Sequence, residues 1–228
     1  IKGGPEVRRR FIDDAVTEIK KGYRVIAREY HRVLKQRNEA IRAVKRGKGG
    51  EELIRSWNAL LCERGAQVVG ERASGLRELE SIMAEMAGEW GLGEIRARLY
   101  SSMGEGMGDK ERLMEKLLRM EGAEISRGTT LMGPHRDEII FELNGRNARR
   151  ECSQGEQKLV ALMWRLALAR LIESRCGEKV VLLMDDCLSE LDSENRALVM
   201  GELKSWGQVL LTHTEDLPEL RGSHRIEI

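Results

Sequence analysis

Two adjacent carboxylates, Asp185 and Asp186, follow an apolar run from Val180 to Met184. A strand of a parallel sheet presents its ligand site at its carboxyl end, so the pair is placed to hold a cation and to act on water. One carboxylate there can bind Mg2+ directly or through water, while the second orients an attacking water and accepts its proton. Upstream, Ser153-Gln154-Gly155-Glu156-Gln157 heads a helical run. A hydroxyl, an amide and a glycine-exposed backbone at a helix N-terminus form an anion site through free N–H groups and the helix dipole. The same residues also read as a capping box, with Ser153 followed three residues later by Glu156. The two readings are compatible, because a cap can also face phosphate. Downstream come Ser189-Glu190-Leu191-Asp192 and, after a second apolar strand, Thr212-His213. A lone histidine at a strand end is most simply structural, and its place after the acidic pair is what singles it out. No G-x-x-x-x-G-K-[ST] sequence occurs in the 228 residues, so the usual phosphate-cradling loop is not among them.

The elements that must carry these residues fall into two regions. From Phe11 to about Arg46 apolar residues recur every three or four positions, interrupted only by Gly22, which predicts amphipathic helix. Gly47-Lys48-Gly49-Gly50 ends it as a flexible turn. A second long helix is expected from Glu51 to about Glu89, although Gly65, Gly70 and Gly75 weaken it by about 1 kcal/mol each relative to Ala. Two antiparallel helices joined by that turn would make a short coiled-coil-like arm, and a third helix is expected from Lys110 to Glu121. The character changes near Gly128, which divides the chain into a mainly helical lobe, 1–127, and a second lobe, 128–228. In the second lobe Glu138 to Leu143 reads as a strand. Asn144-Gly145 is a two-residue hairpin signal before a partner strand from Arg146 to Glu151. A helix from Gln154 to Ser174, a strand from Val180 to Met184, a helix from Ser193 to Ser205 and a strand from Gln208 to Leu211 follow. Strands alternating with helices argue for an α/β fold with a parallel sheet, and the unbroken apolar run Val180 to Met184 suits a strand covered on both faces.

Composition bounds the class. Hydrophobic residues are 41% and charged residues 34%, which is compatible with a packed core. No apolar run approaches the roughly 20 residues needed to span a membrane and no signal peptide is visible, which places the chain in the cytoplasm. Cys62, Cys152, Cys176 and Cys187 form no C-x-x-C pair and read as reduced thiols. The net charge of +1 hides an asymmetry, because residues 1–50 hold fifteen Lys/Arg against six Asp/Glu, leaving the remainder at −8. Such a basic front suggests an anionic partner. The residues concerned are Arg8, Arg9, Arg10, Arg24, Arg28, Arg32, Lys35, Arg37, Arg42, Lys45 and Arg46. They read either as phosphate contacts or as a solvated charged face with partners such as Glu39. The chain opens at Ile1, in mid-motif, which points to upstream sequence.

The segments Thr130 to Glu138 with Gly133-Pro134-His135-Arg136-Asp137, Ser153 to Gln157, and Leu183 to Asp192 together resemble the RecF family of bacterial DNA-repair ATPases. The opening Gly4 to Asp13 and Gln36-Arg37-Asn38 are similar to it as well. The resemblance implies an α/β fold, the C-terminal half of an ABC-type P-loop ATPase head with an inserted helical lobe. It implies ATP and Mg2+ as cofactors, with Asp185 as the metal carboxylate and Asp186 as the catalytic one. Ser153, Gln154, Gly155 and Glu156 match the signature motif that meets a γ-phosphate held by the opposite subunit. Ser189 to Asp192 match the loop at the dimer interface, and His213 falls at the switch-histidine position. Gly133 to Asp137 receive no chemical role. The implied activity is slow ATP hydrolysis coupled to dimerisation around duplex DNA near a single-strand gap. RecO and RecR are the implied partners, and the implied outcome is RecA loading in gap repair and fork restart. Without the phosphate loop this chain alone is expected to be inactive. The competing readings are a non-catalytic DNA- or partner-binding scaffold, another SMC-like ATPase, and part of a membrane-transporter ATPase.

Overall fold

The computed structural model describes residues 3–104, 110–189 and 191–213. They divide into two compact units, 3–80 with 97–140 and 81–96 with 141–213. The sequence boundary near Gly128 falls inside the first unit. No described helix is long and apolar enough to cross a membrane.

The first unit is built on helices α1 (Pro5–Ile19), α2 (Tyr23–Lys45), α3 (Glu52–Arg55), the first part of α4 (Asn58–Glu89) and α5 (Lys110–Arg127). Gly22, at φ 90°, breaks the expected helical stretch into α1 and α2; this left-handed conformation is open to glycine without steric cost. Helices α2 and α4 run antiparallel, since Arg37 bonds Asn58 at 2.9 Å while Glu29 pairs with Arg64 at 3.0 Å. The glycines inside α4 have a packing reason at Gly75, where a Cβ would come within 2.8 Å of Val16 Cγ2 on α1.

The segment Gly133 to Asp137 acts as a clasp in this unit. Its Pro134–Arg136 turn of 3-10 helix is held from several sides. The fully buried Asp137 accepts hydrogen bonds from Ser101 Oγ (2.9 Å), the Ser102 N–H (3.1 Å) and Arg72 (3.3 Å). Arg72 also donates to the Pro134 carbonyl and to both oxygens of Asp13. Gly133 sits at φ 135°, and a Cβ there would collide with the Tyr30 hydroxyl. That hydroxyl lies 2.5 Å from His135 Nδ1, and His135 Nε2 lies 3.2 Å from the Thr130 carbonyl. A carbonyl only accepts, so Nε2 carries the proton and Nδ1 accepts from Tyr30. Burial pushes the Tyr30 hydroxyl pKa up, which keeps this donor protonated.

Burial also lowers the His135 pKa from 6.5 to about 4. The folded unit therefore binds fewer protons than the unfolded chain between those values, and the stability the neutral ring contributes is complete above pH 6.5 and lost as pH falls toward 4. Burial raises the pKa of Asp137, which tilts stability the opposite way. The expected result is that His135→Asn flattens the fall in unfolding midpoint between pH 6.5 and 4. Urea titrations at matched pH values measure it, and an unchanged slope would remove His135 as the source.

The second unit carries the candidate chemistry. Strand β1 (Ile95–Tyr100), strand β2 (Glu138–Leu143) and strand β3 (Arg146–Asn147) form a sheet in that order, of which residues 95–96, 141–143 and 146–147 fall in this unit. Asn144 and Gly145, at φ 52° and 74°, make the expected two-residue turn between antiparallel β2 and β3. The strand expected to reach Glu151 stops after two residues, because the Asn147 side chain accepts from the N–H groups of Arg149 and Arg150 and opens helix α6 (Ala148–Glu151). Helix α7 (Gln154–Cys176) packs Leu159, Val160, Met163, Trp164 and Ala167 inside, with Trp164 edge-on to Phe141 at 5.1 Å between ring centres. Strand β4 (Val181–Asp185), helix α8 (Ser193–Leu203) and strand β5 (Gln208–Thr212) follow, and β4 pairs with β5 in parallel, Asp185 opposite Thr212. Among the described residues one face of this pair is the better covered: Met184 is 9% exposed, Leu183 74% and its partner Leu210 54%.

Candidate nucleotide-binding site and basic helix face

Ser153 caps α7 from an extended conformation, and both halves of the capping box are formed. Its Oγ accepts from the Glu156 N–H at 3.2 Å, and Glu156 Oε2 accepts from the Ser153 N–H at 2.7 Å. Gln154 and Gly155 occupy the first turn. Glu156 is further held by Arg146 at 2.5 Å, and that hydrogen bond, with the Ser153 N–H, lowers its carboxyl pKa. The cap is thus realised, and the helix end it frames is also where an anion would bind.

Asp185 ends β4. Its Oδ1 accepts from the Thr212 hydroxyl at 2.5 Å. Asp186 leaves the strand at φ 42°, a left-handed conformation that Asp adopts more readily than most residues. Its N–H donates to the Thr212 carbonyl at 3.2 Å and to Thr212 Oγ1 at 3.1 Å. His213 brings Nδ1 to 3.5 Å from Asp186 Oδ1, too long for a good hydrogen bond, and neither ring nitrogen has a hydrogen-bond partner among the described residues. Ser189 Oγ donates to the Asp186 carbonyl at 2.9 Å. Asp192 caps α8, accepting from the Asn195 N–H at 2.7 Å.

Lys158, which was not singled out in the sequence, and Thr212, named there only beside His213, join these parts. Lys158, one turn into α7, donates to Ser189 Oγ at 2.9 Å, to the Ser189 carbonyl and to the Asp186 carbonyl at 3.5 Å. It ties the helix headed by Ser153 to the turn after the acidic pair. Thr212 serves both carboxylate residues from the neighbouring strand. The signal for Lys158 was its place just behind Ser153 to Gln157; Thr212 becomes visible only through the strand register.

Among the described residues no group of three His, Cys, Asp or Glu is assembled for a metal. Mg2+ takes one or two carboxylates and fills its shell with water and phosphate oxygens. Asp185, exposed at the strand end with one oxygen anchored, fits such a role.

The basic helix face is narrower than the sequence indicated. Arg37 is fully buried and paired with Glu124 at 2.7 Å. Arg8 is 6% exposed and held by Glu138. These two are internal and leave the surface set. Arg9 is half-buried and donates to the Asp137 carbonyl at 3.0 Å; Arg10 is exposed beside Asp14. Arg24, Arg28, Arg32 and Lys35 are exposed, and their spacing of four, four and three puts them on one side of α2. Arg42 and Arg46 continue that row past Glu39.

No protein-family model matches the chain. It is similar to curated proteins described as DNA replication and repair protein RecF. The one from Geobacter sulfurreducens is 35% identical over 226 residues, covering 96% of this chain and 60% of the relative. The one from Moorella thermoacetica is 36% identical over 218 residues, covering 94% and 57%. The chain thus spans about 60% of the length of the curated relatives it matches. It also matches a solved structure of the recombination mediator protein RecF-ATPrS in the RecFOR pathway with TM-score 0.82 and 27% identity, over 94% of this chain and 59% of the other. A structure of RecF-ATP in the same pathway matches equally. Over the aligned span the fold is that of the C-terminal part of an ABC-type ATPase of this kind.

Proposed function

We propose, from the premise that this chain belongs to the RecF family of DNA replication and repair proteins, that it is part of an ATP-driven DNA clamp acting in gap repair and fork restart. The observation that carries this reading is the grouping, in one compact unit, of a capped helix end at Ser153 to Glu156, the strand-end pair Asp185-Asp186, and Lys158 tying the two together. The related structures with ATP and ATPrS support a nucleotide ligand for the family. In this reading Asp185 holds Mg2+, which when bound offsets charge on the phosphoryl group being transferred. Asp186 orients water and accepts its proton. Ser153, Gln154, Gly155 and Glu156 present N–H and side-chain groups to the γ-phosphate on a second copy. Ser189 and Asp192 face that copy, and His213 flanks Asp186. The loop that cradles ATP itself is not within these 228 residues.

Two heads closed on ATP would hold duplex DNA beside a single-strand gap, working with RecO and RecR toward RecA loading. The exposed row Arg24, Arg28, Arg32 and Lys35 would meet the phosphate backbone, with no sequence preference. The test is DNA binding by the full-length protein with ATP across a salt series. Reversing Arg24, Arg28 and Arg32 to Glu removes three phosphate contacts, so the slope of log K against log salt should fall by about 2 to 3. ATP-dependent dimerisation should persist, since the three side chains are not among the residues proposed to face the second copy. An unchanged slope would place DNA elsewhere, and a protein that never dimerises with ATP would favour the scaffold reading.

A further inference from the structure

Thr212 stands one residue before His213 and has been given no role of its own, yet its hydroxyl touches both carboxylate residues. Oγ1 donates to Asp185 Oδ1 at 2.5 Å and accepts from the Asp186 N–H at 3.1 Å. A hydroxyl has one proton to give and lone pairs to receive, and here each capacity goes to a different member of the pair. The Thr212 carbonyl takes the same Asp186 N–H at 3.2 Å. The register makes this possible, because β4 and β5 run parallel with Asp185 opposite Thr212.

An exposed residue at a strand end needs no hydroxyl for its strand preference, which its β-branched carbon supplies. The hydroxyl does something more specific. It fixes the rotation of the Asp185 carboxylate by holding Oδ1, leaving Oδ2 with no hydrogen-bond donor among the described residues. It also accepts from the Asp186 N–H at the left-handed turn, where φ is 42°.

We infer that Thr212 is a positioning residue for the cation site: it orients Asp185 toward the metal and sets the backbone from which Asp186 reaches water. The inference rests on the metal role of Asp185 proposed above. Partners of a ligating carboxylate change metal affinity by about 10- to 100-fold when removed, which sets the expected size.

The experiment titrates Mn2+ by its EPR signal into full-length protein with saturating ADP, and measures ADP affinity separately in EDTA. Thr212→Val keeps the shape and removes the hydroxyl; Thr212→Ser keeps the hydroxyl and removes the methyl. Thr212→Val should weaken Mn2+ by about 10- to 100-fold with ADP affinity in EDTA unchanged, and Thr212→Ser should stay near wild type. Thr212→Ala stands in for the valine variant if that variant does not fold. Mn2+ affinity unchanged in Thr212→Val overturns the inference while leaving the functional reading intact. Equal loss in the Ser and Val variants overturns it too, since packing would then be the cause. A wild-type protein that binds no Mn2+ with ADP removes the metal role of Asp185 and the inference with it.

Discussion

Asp186→Asn in the full-length protein will leave ATP binding and ATP-dependent dimerisation intact while lowering the hydrolysis rate by about 10²- to 10⁴-fold, the range a positioned acid–base group supplies. The structure makes this substitution unusually clean. The hydrogen bonds that Asp186 itself makes in the 185–189 turn use its backbone: its N–H to Thr212, its carbonyl to Ser189 and Lys158. The side chain carries none of that, and its nearest partner is His213 at 3.5 Å. Asn also tolerates the left-handed backbone at φ 42°, as Asp does. The fold and the turn therefore survive, and only the carboxylate charge is lost. Single-turnover hydrolysis beside sedimentation with ATP separates the two effects. Hydrolysis near the wild-type rate would remove Asp186 from the reaction. Loss of dimerisation together with hydrolysis would show that the residue serves assembly instead.

The parts of this site that were legible in the sequence are those written in consecutive residues. Ser153 and Glu156 are three apart and close a capping box with each other. Asp185 and Asp186 follow an apolar run that is indeed a strand. What stayed hidden depends on residues far apart in the chain. Thr212 meets Asp185 across 27 positions and Lys158 meets Ser189 across 31, and no local period announces either. The Gly133 to Asp137 segment had no evident role because its partners, Tyr30, Arg72, Ser101 and Ser102, come from α2, α4 and the loop after β1.

Two misreadings have local causes. Strand β1 does not stand out in the sequence although Ile95 and Ala97 alternate with exposed Arg96 and Arg98; two arginines and an alanine in six residues mask a period of two. Arg8 and Arg37 were counted with the basic face by charge alone. Their positions say otherwise, since Arg8 shares the buried row of Ile12, Ala15 and Ile19, and Arg37 that of Tyr30, Val33 and Ala40. Helical period outranks charge when the two disagree, provided the interior offers a counter-charge.

Arg37 has such a counter-charge, and breaking the pair will be the most damaging single change in the helical unit. Its guanidinium reaches two helices and a loop with three nitrogens: Nε to Asn58 of α4 (2.9 Å), Nη1 to Thr130 in the loop after α5 (2.9 Å) and Nη2 to Glu124 of α5 (2.7 Å). Glu124 is equally buried, with its other oxygen on the Leu131 N–H at 2.8 Å. Arg37→Ala would leave that carboxylate in the interior without a cation, at a cost of about 3–5 kcal/mol. Lys would not replace Arg, because a point charge does not match a planar fork that serves three acceptors. Removing both charges in Arg37→Met with Glu124→Leu should restore much of the loss, since apolar residues of similar volume often substitute for a buried pair at little net cost. Urea unfolding of the three proteins, with m-values checked for constancy, decides it. If Arg37→Ala lies within about 1 kcal/mol of wild type, the typical effect of an ordinary substitution, the pair is not holding α2, α4 and α5 together. A variant that kept full stability but lost DNA affinity would return Arg37 to the phosphate-contacting set. The burial of its whole side chain argues for the first result, because phosphate cannot reach a guanidinium that water does not.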